Sequence, residues 1–215
     1  MTVLLILLAV FAVFGYLFGC VNGAILVSKT IFHEDVREKG SGNAGLTNFY
    51  RVYGVKGVLF VIAIDVLKTV VVVLAARYAF AHFGKNIALG MYWTGFFAIL
   101  GHCFPCMFRF HGGKGILSAG TLLILLDWRI ALVGFGLFFA GAILSGYISL
   151  GSILAIISFP LTTLWVYHGH PDFWFIMLLA LLASAVTFWS HRGNVKRLIS
   201  GKENKFRVHK KEELS

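Results

Sequence analysis

Apolar residues in this chain come in long unbroken runs, not in the alternation of a half-buried strand. Uncharged segments cover residues 2–28, 87–102, 116–126, 130–168 and 173–190. Two shorter ones, 57–64 and 69–76, are parted by the stretch that holds Asp65 and Lys68. A helix that crosses a bilayer needs about 20 mostly apolar residues and satisfies all of its own backbone groups. The pattern therefore predicts an all-α integral membrane protein with seven transmembrane helices, at about 3–28, 55–79, 87–104, 114–127, 130–146, 149–167 and 173–191. The fourth is short for a full crossing. No basic leader or small-x-small cleavage site accompanies the first run, so it is expected to stay as helix one.

Composition agrees: the 215 residues are 59% hydrophobic and 13% charged, with mean hydropathy +0.85. The net charge of +10 is unevenly placed. No Lys or Arg precedes Lys29; residues 29–56 carry five of the 19, and residues 192–215 carry eight. By the positive-inside rule the first loop and the tail are cytoplasmic and the amino terminus is outside, which requires an odd number of crossings. With seven, the ends of helices one, three, five and seven share the cytoplasmic face. One membrane domain (1–198) and a basic cytoplasmic tail (199–215) result. The tail, with Lys196 and Arg197 just before it and Lys202, Lys205, Arg207, Lys210 and Lys211 within it, suits anionic lipid headgroups. Nucleic acid is not expected as a partner, because no aromatic-interleaved module accompanies the charge.

Three polar clusters interrupt the apolar pattern. Residues 40–51 hold three glycines, Ser41, Asn43, Thr47, Asn48 and the planar cation Arg51. Glycines at this density let backbone N–H groups converge as an anion nest, which predicts a phosphate-binding loop. In the second, Gly112, Gly113, Lys114 and Gly115 run straight into an apolar helix, whose N-terminus favours anions. It is not a Walker A loop, since the leading glycine is missing and no Ser/Thr follows the lysine. In the third, His191 and Asn194 are i, i+3 neighbours that share a face if the last helix continues through them. Cys103 and Cys106 have CxxC spacing beside His102, but no second pair completes a zinc site, and buried free thiols are expected. Asp65 and Lys68, also i, i+3, are expected to neutralise one another inside the second helix.

Taken together, Asp35–Arg51, Gly101–Pro105 with Phe110–Gly115, and His191–Leu198 resemble the bacterial acyl-phosphate:glycerol-3-phosphate acyltransferases of PlsY type. Lesser matches are Asp65–Lys68 and Tyr147–Ser152. The resemblance implies a seven-helix enzyme of the bacterial inner membrane, without cofactor or metal, whose site faces the cytoplasm. It implies that Ser41, Arg51, Lys114, His191 and Asn194 serve glycerol-3-phosphate and catalysis, while Thr47, Asn48, Gly112, Gly113 and Gly115 face acyl-phosphate. The enzyme that makes acyl-phosphate is an implied partner. Asn22 departs from the usual proline, Leu46 from a smaller residue, Thr69 from a glycine and His111 from a lysine. None of the eight histidines has Asp five positions later, which excludes the His-x4-Asp dyad of other glycerolipid acyltransferases. A transporter or a membrane scaffold is the rival; only Asp65 and Lys68 favour transport.

Overall fold

The computed structural model describes residues 1–205, and among them it is helical throughout, with no strand. The elements are α1 (Thr2–Gly19), α2 (Gly23–Ile31), a 3₁₀ turn (Val36–Glu38), α3 (Leu46–Tyr53), α4 (Val58–His82), α5 (Ile87–Cys103), a second 3₁₀ turn (Cys106–Phe108), α6 (Ile116–Leu126), α7 (Trp128–Ser145), α8 (Ile148–Tyr167), α9 (Phe173–Ser190) and α10 (Arg192–Ile199). Among the described residues, six helices or helix pairs are long and apolar enough to cross a membrane: 2–31, 58–82, 87–108, 128–145, 148–167 and 173–190. The fourth predicted helix is α6, and its 11 residues reach only about 16 Å at 1.5 Å per residue. Of the basic tail, Arg207, Lys210 and Lys211 lie outside the described residues.

Two predicted boundaries are corrected. The single first helix is broken at Cys20–Asn22, and the loop predicted for residues 40–51 becomes α3 from Leu46 onward. The break is built by Asn22, which takes extended backbone angles while its Oδ1 accepts from Ile25 N at 3.0 Å and caps α2. Its Nδ2 donates to Ala44 O at 3.0 Å and so ties the glycine loop to the same point. This departure from proline thus has a structural purpose.

A broken helix leaves carbonyls at one end and amides at the other without intrahelical partners, and in an apolar bundle these must be satisfied. Asp65 and Lys68 on α4 do so. Lys68 Nζ donates to Gly19 O at 3.3 Å and Val21 O at 2.6 Å, and Asp65 Oδ1 accepts from Gly23 N at 3.1 Å. The two side chains meet at 2.8 Å, and Lys68 Nζ also donates to His102 Nδ1 at 2.8 Å. The expected self-paired bridge is present, and its second task is to cap both ends of the break.

Small residues set the helix spacing, as they do where no hydrophobic effect drives helices together. A Cβ at Gly19 would run into the backbone of Ala98, and one at Gly101 into Tyr16 O, so α1 and α5 touch backbone to backbone. In α8, Pro160 removes the N–H that would have bonded Ile156 O; Ser184 Oγ on α9 fills the gap at 3.1 Å. The bundle core, with Tyr92, Ile99, Leu122, Ile130, Ile176 and Leu179 buried, centres on α5, which packs against α1, α4, α6 and α9.

Candidate active site

The three polar clusters converge. A cavity of about 550 Å³ is lined at one end by Ser41, Asn43, Thr47, Asn48, Arg51, Lys114, Gly115, His191 and Asn194. Its other end is apolar, walled by Leu123, Phe135, Phe138, Ile156 and Phe159 from α6, α7 and α8. A second, polar cavity of about 330 Å³ adjoins it and takes in Gly112 and Gly113. Ser41, Asn43, Lys114, Asn194 and Arg197 line both, so they form the wall where the two compartments meet. All eleven residues predicted for the site therefore border one cavity or the other.

Part of the expected nest is bonded within the protein. Gly40 and Gly42 turn the chain with φ of 60° and 71°, but two of the loop's amides are spent internally. Ser41 N donates to Asn48 Oδ1 at 2.8 Å and Gly42 N to Lys39 O at 3.0 Å. Asn48 is buried, and its Nδ2 donates to Val36 O and Lys39 O at 3.1 and 3.0 Å. Its amide group therefore staples the loop, and Ser41 is displayed on it. In the second cluster, Gly112 N donates to Cys103 O at 3.2 Å and Gly113 N to His102 O at 3.1 Å. Those two amides cap the C-terminus of α5 and do not face a ligand. Gly113 has no room for a side chain, because a Cβ would meet His102 and Ala44 O. Lys114 is thereby placed one residue before the α6 N-cap, Gly115, whose φ is 79°.

Electrostatics set the working forms of two side chains. Burial, reinforced by repulsion from Arg197 and Arg51 and partly offset by Glu203, lowers the Lys114 ammonium to about 8. Burial, with Lys114 nearby, lowers His191 to about 4 against the opposing hydrogen bond to Thr187. His191 Nδ1 donates to Thr187 O at 2.8 Å, which leaves Nε2 as an acceptor on a neutral ring. The last helix does not pass straight through this cluster: α9 ends at Ser190, and α10 restarts at Arg192. His191 and Asn194 are both buried, whereas Arg192 and Lys196 are exposed, as the i, i+3 spacing required.

Glu203 and Arg197 are the residues that sequence reasoning left out of the site. Glu203 Oε1 accepts from Asn194 Nδ2 at 3.1 Å and Oε2 from Arg197 Nε at 2.9 Å. The start of the supposed tail thus folds back onto the cavity. The available signal was a lone acid within a basic stretch, but nothing local says that a carboxylate five residues beyond Leu198 turns inward. The thiol expectation also needs a correction: Cys20 and Cys103 are buried, but Cys106 is exposed. Among the described residues no group of three or more His, Cys, Asp or Glu is placed to hold a metal ion.

The profile of the family described as glycerol-3-phosphate acyltransferase matches residues 9–201. The chain belongs to the glycerol-3-phosphate acyltransferase family. Relatives in that family include proteins from Thermoanaerobacter sp. (strain X514), 36% identical over 90% of this chain and 93% of the relative, and from Mycoplasmopsis synoviae (strain 53), 37% identical over 91% and 93%. Among solved structures, the integral membrane glycerol 3-phosphate acyltransferase PlsY superposes in its glycerol 3-phosphate form with a TM-score of 0.80. That pair is 32% identical, with 93% of this chain and 96% of PlsY covered. The lysophosphatidic acid form of PlsY gives a TM-score of 0.77 at 30% identity, with 94% and 96% covered. Family membership thus rests on nearly the whole chain, including the two glycine clusters and α10.

Proposed function

We propose that this acyltransferase moves a fatty acyl group from acyl-phosphate to a hydroxyl of glycerol-3-phosphate, giving lysophosphatidic acid and phosphate. One observation carries the proposal: a polar compartment and an apolar one share a wall made of Ser41, Asn43, Lys114, Asn194 and Arg197. A water-soluble phosphate ester fits the first, and an acyl chain lies among Phe135, Phe138 and Phe159 in the second. Their heads meet at the cations. Arg51, Lys114 and Arg197 offset the repulsion between two phosphates, and positioning together with charge stabilisation supplies most of the rate.

The glycerol hydroxyl attacks the acyl carbonyl carbon, the carbonyl–phosphate C–O bond breaks, and inorganic phosphate leaves. Acyl-phosphate is already activated, so no covalent enzyme intermediate is required. The hydroxyl proton passes either to Nε2 of neutral His191 or to a substrate phosphate oxygen, with His191 and Asn194 orienting the acceptor. In this scheme α6 completes a seven-crossing topology, the amino terminus is outside, and the site opens to the cytoplasm of a bacterial inner membrane, where the enzyme that makes acyl-phosphate delivers its product. Residues 1–198 form the membrane domain, and the start of the tail adds Glu203 to its cavity. Transport loses its support, since Asp65 and Lys68 are occupied at the helix break.

The test supplies purified protein with glycerol-3-phosphate and either acyl-phosphate or acyl-CoA. Lysophosphatidic acid is expected from acyl-phosphate alone, and Ser41→Ala, Lys114→Ala and His191→Ala each cut the rate at least about 100-fold, the scale of losing one aligned group. Equal use of acyl-CoA, or full activity in all three variants, would overturn the assignment.

A further inference from the structure

Two cysteines far apart in sequence sit side by side where the helix break meets the turn that leads into the glycine–lysine cluster. Cys20 Sγ and Cys106 Sγ are 3.8 Å apart, one buried and the other exposed. We propose that hydrogen peroxide converts this pair to a reversible disulfide that displaces the loop anchor and slows acyl transfer. The effect on rate rests on the acyltransferase reading above; formation of the bond does not.

The exposed sulfur is the one that water-borne peroxide reaches, and its turn also carries exposed Arg109 and His111. The Cys106 thiolate attacks a peroxide oxygen, the O–O bond breaks, and hydroxide leaves to take up a proton as water. The sulfenic acid so formed is attacked by Cys20 sulfur; the S–O bond breaks, and a second water leaves with the Cys20 proton. Two thiols are oxidised by two electrons and one peroxide is reduced to two waters.

Closing from 3.8 Å to a bond of about 2.05 Å requires about 1.8 Å of movement. The turn gives way, because Cys20 follows Gly19, which is wedged against the backbone of Ala98. Cys106 lies in a three-residue turn followed by Arg109 and Phe110 with φ of 56° and 58°. That turn is also an anchor: Arg37 Nη1 donates to Phe108 O at 3.0 Å and His111 O at 3.2 Å. Moving it displaces Arg37, and with it the Val36–Ser41 segment that Asn48 holds. A displacement of about 1 Å in a catalytic group lowers rates by up to about 100-fold.

Full-length protein in lipid is treated with hydrogen peroxide, mapped by mass spectrometry without reduction, and assayed for acylation of glycerol-3-phosphate before and after dithiothreitol. A Cys20–Cys106 cross-linked peptide is expected, with a rate loss of about tenfold or more that reverses on reduction. C20S and C106S retain their rate under peroxide, and C103S still forms the link. No Cys20–Cys106 link in folded wild-type protein refutes the bond; a link without loss of rate, or equal loss in C106S, refutes the coupling. If untreated protein acylates nothing, the proposed function fails while the peptide map still decides the bond.

Discussion

Replacing Lys68 by methionine tests whether the intramembrane charges exist to hold a broken helix. The substitution keeps the stem volume and removes the ammonium. Asp65 then loses the partner 2.8 Å away while buried, and Gly19 O and Val21 O lose their shared donor. Removing one member of a buried ion pair costs about 3–5 kcal/mol. For a chain of this size, each kcal/mol shifts the midpoint by about 2–4 °C, so a fall of roughly 10 °C is expected. The double variant Asp65→Asn/Lys68→Met removes the orphaned charge and keeps an acceptor for Gly23 N, yet leaves the two carbonyls uncapped at about 1–3 kcal/mol each. It should therefore melt between K68M and the parent. Thermal unfolding in detergent micelles, followed by fluorescence-detected size exclusion, reads both. An unchanged midpoint in K68M, or a double variant no more stable than K68M, would show that the cluster does not brace the break.

Three further outcomes follow from the site. With Lys114 lowered to about 8, its charge is complete below that pH and is lost as pH rises through it. The KM for glycerol-3-phosphate should thus climb about tenfold per unit above pH 8, whereas His191, lowered to about 4, stays neutral and adds no limb between pH 5 and 8; a KM flat to pH 9.5 would contradict this. Glu203→Ala should lose more activity than Glu203→Gln, because glutamine keeps an acceptor for Asn194 Nδ2; the reverse order in steady-state kinetics would remove Glu203 from any role in positioning Asn194. Asn22→Ala loses the α2 cap and the tie to Ala44 and should be destabilised by about 1–2 kcal/mol, read as a lower melting midpoint.

Apolar run length by itself determined the membrane class and most helix positions, because in lipid a segment of that length has no conformation but a helix that satisfies its backbone. Residue type and spacing likewise marked the candidate site: all three polar clusters reach the same pair of cavities, and the i, i+3 pairs Asp65–Lys68 and His191–Asn194 follow from local geometry. The break at Cys20–Asn22 was hidden, since residues 2–28 are uniformly uncharged and the charges that cap the break come from α4, more than 40 residues later. The glycine loops were expected to bind anions, but where each amide points was not legible; Asn48, Cys103 and His102 claim those of Ser41, Gly112 and Gly113 through contacts that only the folded chain makes. Glu203 belongs to the same class, because its inward turn depends on Asn194 and Arg197 and not on its neighbours in sequence. Local rules reach as far as a helix turn, and whatever is settled by a partner on another helix belongs to the tertiary structure.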